Sequence, residues 1–197
     1  MKSKFLLILG IMIGLAGVFL GVLIFRPRPF HGMVMQSPEL AQNFTLTGAN
    51  NTEVSLSDYR GKLIILYFGY TFCPDVCPAT LSSVSKAMKL LGSKADKVQF
   101  IMISVDPERD TPDRLAEYVA HFDPNFIGVT GDPDKLAQIA ALYGIYFQKH
   151  EGTAATGYLV DHTATMMVID QDGYLKLVLP FGISPEDIAS DLKRVIR

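Results

Sequence analysis

Cysteine occurs only twice in this 197-residue chain, tryptophan not at all, and no cluster of lysine and arginine stands out beyond the few that flank the first apolar stretch. Two cysteines cannot build a disulfide framework, and two thiolates alone do not complete a tetrahedral structural zinc site. With 18 basic against 20 acidic residues and no basic stripe, nucleic acid is excluded as a natural partner. Internal repeats and low-complexity segments are also missing. The length therefore suits one ordinary domain with an appendage, and a domain of this size needs no staples.

The one long apolar run is at the start. Phe5 to Phe25 holds 21 consecutive uncharged residues, 15 of them Leu, Ile, Val or Phe. As a helix it would extend about 31 Å, close to the hydrocarbon thickness of a bilayer. It lacks the short apolar core and A-x-A-like site of a cleaved signal, so a retained transmembrane anchor over 1–25 is expected. The flanking charges slightly favour N-in, C-out. That would make the chain a single-pass protein of the inner (cytoplasmic) membrane, its C-terminal part in the periplasm or an equivalent outer compartment that permits disulfide chemistry. Gly10, Gly14, Gly17 and Gly21 fall on one face of that helix at small-xxx-small spacing, so a helix homodimer is an open expectation. Residues 26–41 mix Pro, Gly and polar residues without a period and read as a tether.

From residue 42 onward the pattern is that of a folded domain. NFTLT, GANN and TEVSLSD make a hairpin pattern. KLIILYFGY (62–70) and VQFIMISV (98–105) are continuous apolar runs, the mark of parallel strands buried on both faces, and PATLSSVSKAMKLLG between them puts Leu81, Val84, Met88 and Leu91 on one helical face. Thr111-Pro112 and Asp132-Pro133 each open a helix with an N-cap residue and a proline in the first turn, with FIGVTG as a short strand between them. MMVIDQDGYLKLVLP reads as a second hairpin, and SPEDIASDLKRVIR closes the chain as a helix capped by Ser184. The fold class is α/β with a mixed sheet and flanking helices.

Both cysteines lie in TFCPDVCPATL, in the loop leaving the first buried strand. Placing Pro78 at the first helical position puts Cys77 at the cap, where the helix dipole favours a thiolate. Open α/β sheets place their sites above this edge. An inert pair, a redox dithiol and a soft-metal site for Cu(I), Zn(II) or an Fe-S cluster all remain open. A metal would want a third ligand. Of the four histidines, His162 in YLVDHTATMMVID directly precedes a central strand and is the candidate, with Asp161 as its outer partner; His121 and His150 look ordinary. His31 with Met33 and Met35 offers a weak second metal pattern near the apolar run, or an accident of the tether. Asp106, Glu108, Asp110 and Asp113 in DPERDTPD lack the glycine of an EF-hand loop and read as helix capping and surface charge.

Taken together, YFGYTFCPDVCPATL, SVDPERDTPDRLAEY and YLVDHTATMMVIDQDG resemble the Sco/SenC family of copper chaperones over roughly residues 40–190. The resemblance implies a thioredoxin-like fold with an additional N-terminal hairpin over 42–197. It implies copper, Cu(I) or Cu(II), held by Cys73, Cys77 and His162. It further implies delivery of copper to the dinuclear centre of cytochrome c oxidase subunit II, or reduction of that site's cysteines, and an upstream protein that donates the copper. Such a protein is a metallochaperone rather than a turnover enzyme. The redox-active pair Cys73 and Cys77 leaves a thiol-disulfide reductase, or a redox-signalling protein, as the alternative. Two departures from relatives are informative. Thioredoxins use CxxC with a cis-proline before the late strand, where this chain has His-Thr-Ala. Peroxiredoxins need a threonine three residues before the reactive cysteine, where this chain has Tyr70 or Pro74.

Overall fold

A computed structural model describes residues 10–12, 14–21, 29–153 and 157–197. The chain divides into two compact units, residues 1–30 and 31–197. In the first, residues 10–12 and 14–21 are helical. Here the expected transmembrane helix, and with it the single-pass membrane location, is corrected: among the described residues no helix is long and apolar enough to cross a membrane. Residues 5–9, 13 and 22–25 of the apolar run lie outside the described residues.

The second unit is built on two strands that read as apolar throughout. β4 (Leu63–Gly69) and β5 (Val98–Ser104) pair in parallel, and all seven residues of each are buried. Burial on both faces is what removes the polar alternation from their sequences. β6 (Ile127–Val129) adds in parallel beside β5. On the other side of β4 the sheet turns antiparallel through β9 (Met166–Ile169), β10 (Leu175–Leu179) and the two-residue β1 (Met33–Val34), giving the order β1-β10-β9-β4-β5-β6. β2 (Thr45–Thr47) and β3 (Glu53–Ser55) form the N-terminal hairpin, and β7 (Phe147–Glu151) and β8 (Tyr158–His162) form a separate two-stranded sheet.

Among the described residues of this unit there are four α-helices. α1 (Val76–Leu91) joins β4 to β5 and packs against α4 (Pro185–Val195), its buried face carrying Leu81, Val84, Met88 and Leu91 as the spacing predicts. α2 (Pro112–Ala120) and α3 (Pro133–Leu142) flank β6 in sequence. The caps act as their residue types dictate: Thr111, Asp132 and Ser184 each accept a hydrogen bond from a first-turn amide. A β-α-β unit followed by an antiparallel hairpin and a closing helix is the thioredoxin-like arrangement.

Part of the stretch read as a tether lies along this sheet. Met33 and Val34 pair with Val178 and Leu177, and the buried carboxylate of Asp191 in α4 accepts the backbone amides of His31 and Gly32. The His31 ring sits between Asp187 (3.1 Å) and Asp191 (3.0 Å), so its nitrogens serve a carboxylate clamp instead of a metal.

Candidate metal centre

β4 ends at Gly69 and releases the loop Tyr70–Asp75, which runs straight into α1. The loop is pinned at its start by Asp110, which is fully buried. Asp110 accepts from the Thr71 amide (3.1 Å), the Thr71 hydroxyl (2.5 Å) and the Ser104 hydroxyl (2.7 Å). Burial nonetheless pushes its carboxyl above the usual carboxylate range. The sequence reading of this acidic segment as surface charge is thus corrected for Asp106 and Asp110, both of which are 0% exposed.

α1 begins at Val76, two residues earlier than the proline implies. Pro78 still lies in the first turn, where amides have no intrahelical acceptor to lose. The shift changes which sulfur the helix end serves. Cys77 is inside the first turn and fully buried, and its own amide donates to the Sγ of Cys73 at 3.3 Å. Cys73 is half-buried. A hydrogen bond from the Cys77 thiol, with help from the Cys77 and Asp75 amides, holds the Cys73 thiol well below its ordinary range despite burial. Cys77 is displaced the opposite way, by its hydrogen bond to Cys73 and by burial. Of the pair, Cys73 is the sulfur that loses its proton more readily.

His162 is the last residue of β8. Its Nε2 stands 3.5 Å from the Cys77 Sγ, and one ligand atom from each of Cys73, Cys77 and His162 lies within 4.8 Å of the others. The other ring nitrogen, Nδ1, is 3.2 Å from the carbonyl of Thr163. Donation to a carbonyl places the proton on Nδ1 and leaves the Nε2 lone pair facing the sulfurs, the tautomer a metal ligand needs. The Tyr67 and Tyr70 rings stand roughly perpendicular to the imidazole at centroid distances of 6.0 and 5.9 Å. The Tyr67 hydroxyl donates to Cys77 Sγ at 3.5 Å. A Cβ at Gly69 would lie 2.7 Å from the Tyr67 ring and 3.0 Å from the Cys77 sulfur, so glycine at the strand end leaves room for both. Asp161, expected behind His162, is largely exposed and pairs with His150 at 3.1 Å; the Thr163 carbonyl takes the outer position instead.

Two sulfurs and one imidazole nitrogen in this arrangement could hold a metal ion, and their chemistry suits a soft one. A cleft of about 220 Å³ opens onto Cys73 and His162, with His150 and Asp161 on its rim; Cys77 does not line it. Reactivity should follow this division. A thiolate, not a thiol, attacks iodoacetamide, so the metal-free reduced protein is expected to be alkylated at Cys73 at a rate nearly constant from pH 6 to 8, whereas an ordinary thiol would speed up roughly 80-fold. Peptide mapping of the modified protein checks this, and a steep rise with pH, or label first on Cys77, would contradict the assignment.

The SCO1/SenC family model matches residues 33–197. An SCO2-like protein of Rickettsia felis is 29% identical over 196 residues, covering 96% of this chain and 95% of the relative. Among solved structures, that of Bradyrhizobium japonicum ScoI with copper bound is 40% identical with a TM-score of 0.72, covering 80% of this chain and 99% of that one. At the level of the fold alone, the thioredoxin domain of a thiol-disulfide oxidoreductase from Bacteroides vulgatus superposes with a TM-score of 0.57 at 15% identity, covering 83% of this chain and 99% of that domain.

Proposed function

The chain belongs to the SCO1/SenC family, and from that membership we propose that it binds copper through Cys73, Cys77 and His162 and acts in the assembly of cytochrome c oxidase. Its task is to deliver copper to the dinuclear site of subunit II, having received it from an upstream donor protein. The single observation that carries the reading is the convergence of the Cys73 and Cys77 sulfurs with an Nε2 lone pair from His162, 85 positions beyond Cys77 in the chain. Cu(I) is satisfied by the two sulfurs, and Cu(II), which favours nitrogen ligation more, draws on the imidazole as well. Residues 42–197 are the copper-binding domain.

Copper and a disulfide compete for the same two sulfurs. Anaerobic titration of the reduced protein is expected to give one tightly held copper per chain, and the oxidised protein none. Equal binding in both states would contradict the site.

The half-exposed thiolate of Cys73 favours a second reading, a thiol-disulfide reductase whose client is another protein's cystine. Cys73 would attack one client sulfur and release the other as a thiol. Cys77 would then attack Cys73, closing the intramolecular disulfide and freeing the second client thiol, so two electrons pass from this protein to the client. The readings separate at His162. Under copper delivery His162→Ala impairs Cu(II) binding and oxidase maturation; under reduction it leaves client turnover intact while Cys73→Ser abolishes it. Oxidase activity in cells lacking the protein, with and without added copper, tests the assembly role directly.

A further inference from the structure

The hairpin that carries His162 is not part of the main sheet. β7 and β8 pair with each other, and among the described residues neither pairs with a strand of the main sheet. Something else must fix the imidazole over the sulfurs.

Asp106 and Arg109, on the turn after β5, supply that connection. Asp106 is fully buried, and Arg109 Nε donates to it at 2.5 Å. The Tyr158 hydroxyl, from the start of β8, donates to the other Asp106 oxygen at 2.6 Å, and Arg109 Nη1 donates to the Tyr158 carbonyl at 3.0 Å. The guanidinium carbon lies 3.7 Å from the centroid of the Tyr158 ring, 4.6 Å from Phe72 and 5.8 Å from Tyr70. Tyr158 belongs to the histidine hairpin; Tyr70 and Phe72 belong to the cysteine loop. One side chain therefore touches both halves of the centre. Tyr70 extends the link, since its hydroxyl accepts the Val160 amide at 3.2 Å while its ring borders His162. On the outer side Lys149 of β7 pairs with Glu108 at 2.5 Å.

We propose that Arg109 is a positioning residue for the metal centre, holding the β7–β8 hairpin in register with the cysteine loop so that His162 stays within ligand distance of the two sulfurs. The inference rests on the copper-binding reading of that site. Buried ion pairs give little net stability because desolvation offsets attraction, and their best-attested use is to fix one arrangement among several. A planar fork that donates to a carboxylate and a carbonyl while stacking on rings is something lysine cannot reproduce. Arg109→Lys keeps the charge opposite Asp106 and loses the geometry. Tyr158→Phe keeps the ring and loses the hydroxyl tie.

Two measurements on the full chain test this. In metal-free reduced protein, hydrogen exchange at the Val160 amide is expected to accelerate on the order of tenfold in both variants, with the β4 amides unchanged. With copper itself as probe, Cu(II) affinity falls about 10–100-fold, as for loss of an outer partner of a metal ligand, and the nitrogen hyperfine pattern of the bound Cu(II) weakens. Cu(I) affinity stays within about threefold of the parent, and adding His162→Ala to Arg109→Lys lowers Cu(II) affinity no further than His162→Ala alone. Unchanged Val160 exchange, exchange that accelerates equally in β4, or Cu(I) and Cu(II) affinities falling together would each overturn the proposal. If the parent protein bound no copper, the functional reading would fall, and the exchange arm would still decide the role of Arg109.

Discussion

Replacing Cys77 by serine is expected to abolish tight copper binding while leaving a folded protein. Cys77 is fully buried at the first turn of α1, with Tyr67 donating to its sulfur and His162 Nε2 at 3.5 Å. A serine hydroxyl occupies nearly the same place and can keep the contact with Tyr67, so the cost in stability should stay within about 1–3 kcal/mol. As a ligand it fails: Cu(I) selects soft thiolates, and a neutral hydroxyl offers neither charge nor polarisability. The loss should exceed the roughly 10–100-fold that follows removal of a mere outer partner, and reach on the order of 10³-fold or more. Competition with a chromophoric Cu(I) chelator, beside a thermal melt, measures both effects. Binding within tenfold of the parent would mean that the metal is held elsewhere.

The second large effect is predicted far from the metal, at Asp191. Its carboxylate is fully buried, accepts the His31 amide at both oxygens (3.1 and 2.9 Å) and the Gly32 amide at 2.8 Å, and lies 3.0 Å from His31 Nδ1. These bonds fasten residues 31–34 to α4 beside β10, where a side chain on Gly32 would already collide with Leu179. Asp191→Ala removes the acceptor and leaves two amides and a ring nitrogen without it, at a cost of about 3 kcal/mol, and a melting temperature lower by roughly 6–12 °C for a unit of this size. Asp191→Asn, which keeps one acceptor oxygen, should lose about half as much. Copper affinity should not change in either variant, since Asp191 touches no residue of the centre. Equal melting temperatures for parent and Asp191→Ala would show that the segment docks without this clamp.

How far the sequence could be read depended on whether a feature leaves a local pattern. β4 and β5 announced themselves because burial on both faces erases polar alternation, and Thr111, Asp132 and Ser184 did so because a cap followed by proline has few other uses. The cysteines and His162 were found by chemistry and by resemblance, whereas their mutual distance came only from the fold. β1 was missed because two residues show no period, and β7 because its exposed Gln-Lys-His-Glu face reads as loop. The start of α1 was misplaced by two residues because proline tolerates any first-turn position. Asp106 and Asp110 were misread as surface charge, since Arg109 beside them reads as surface charge too and the hydroxyls they accept from, on Thr71, Ser104 and Tyr158, lie outside DPERDTPD. The apolar run at the start shows the opposite failure: composition alone suggested a span, and no described helix there is long enough to make one.

The cleft that borders Cys73 and His162 but not Cys77 gives the centre an inside and an outside. Under the proposed copper delivery an acceptor's ligands would meet the imidazole and the outer sulfur first, so a copper ion held by all three would change hands stepwise, with Cys77 the last bond to let go.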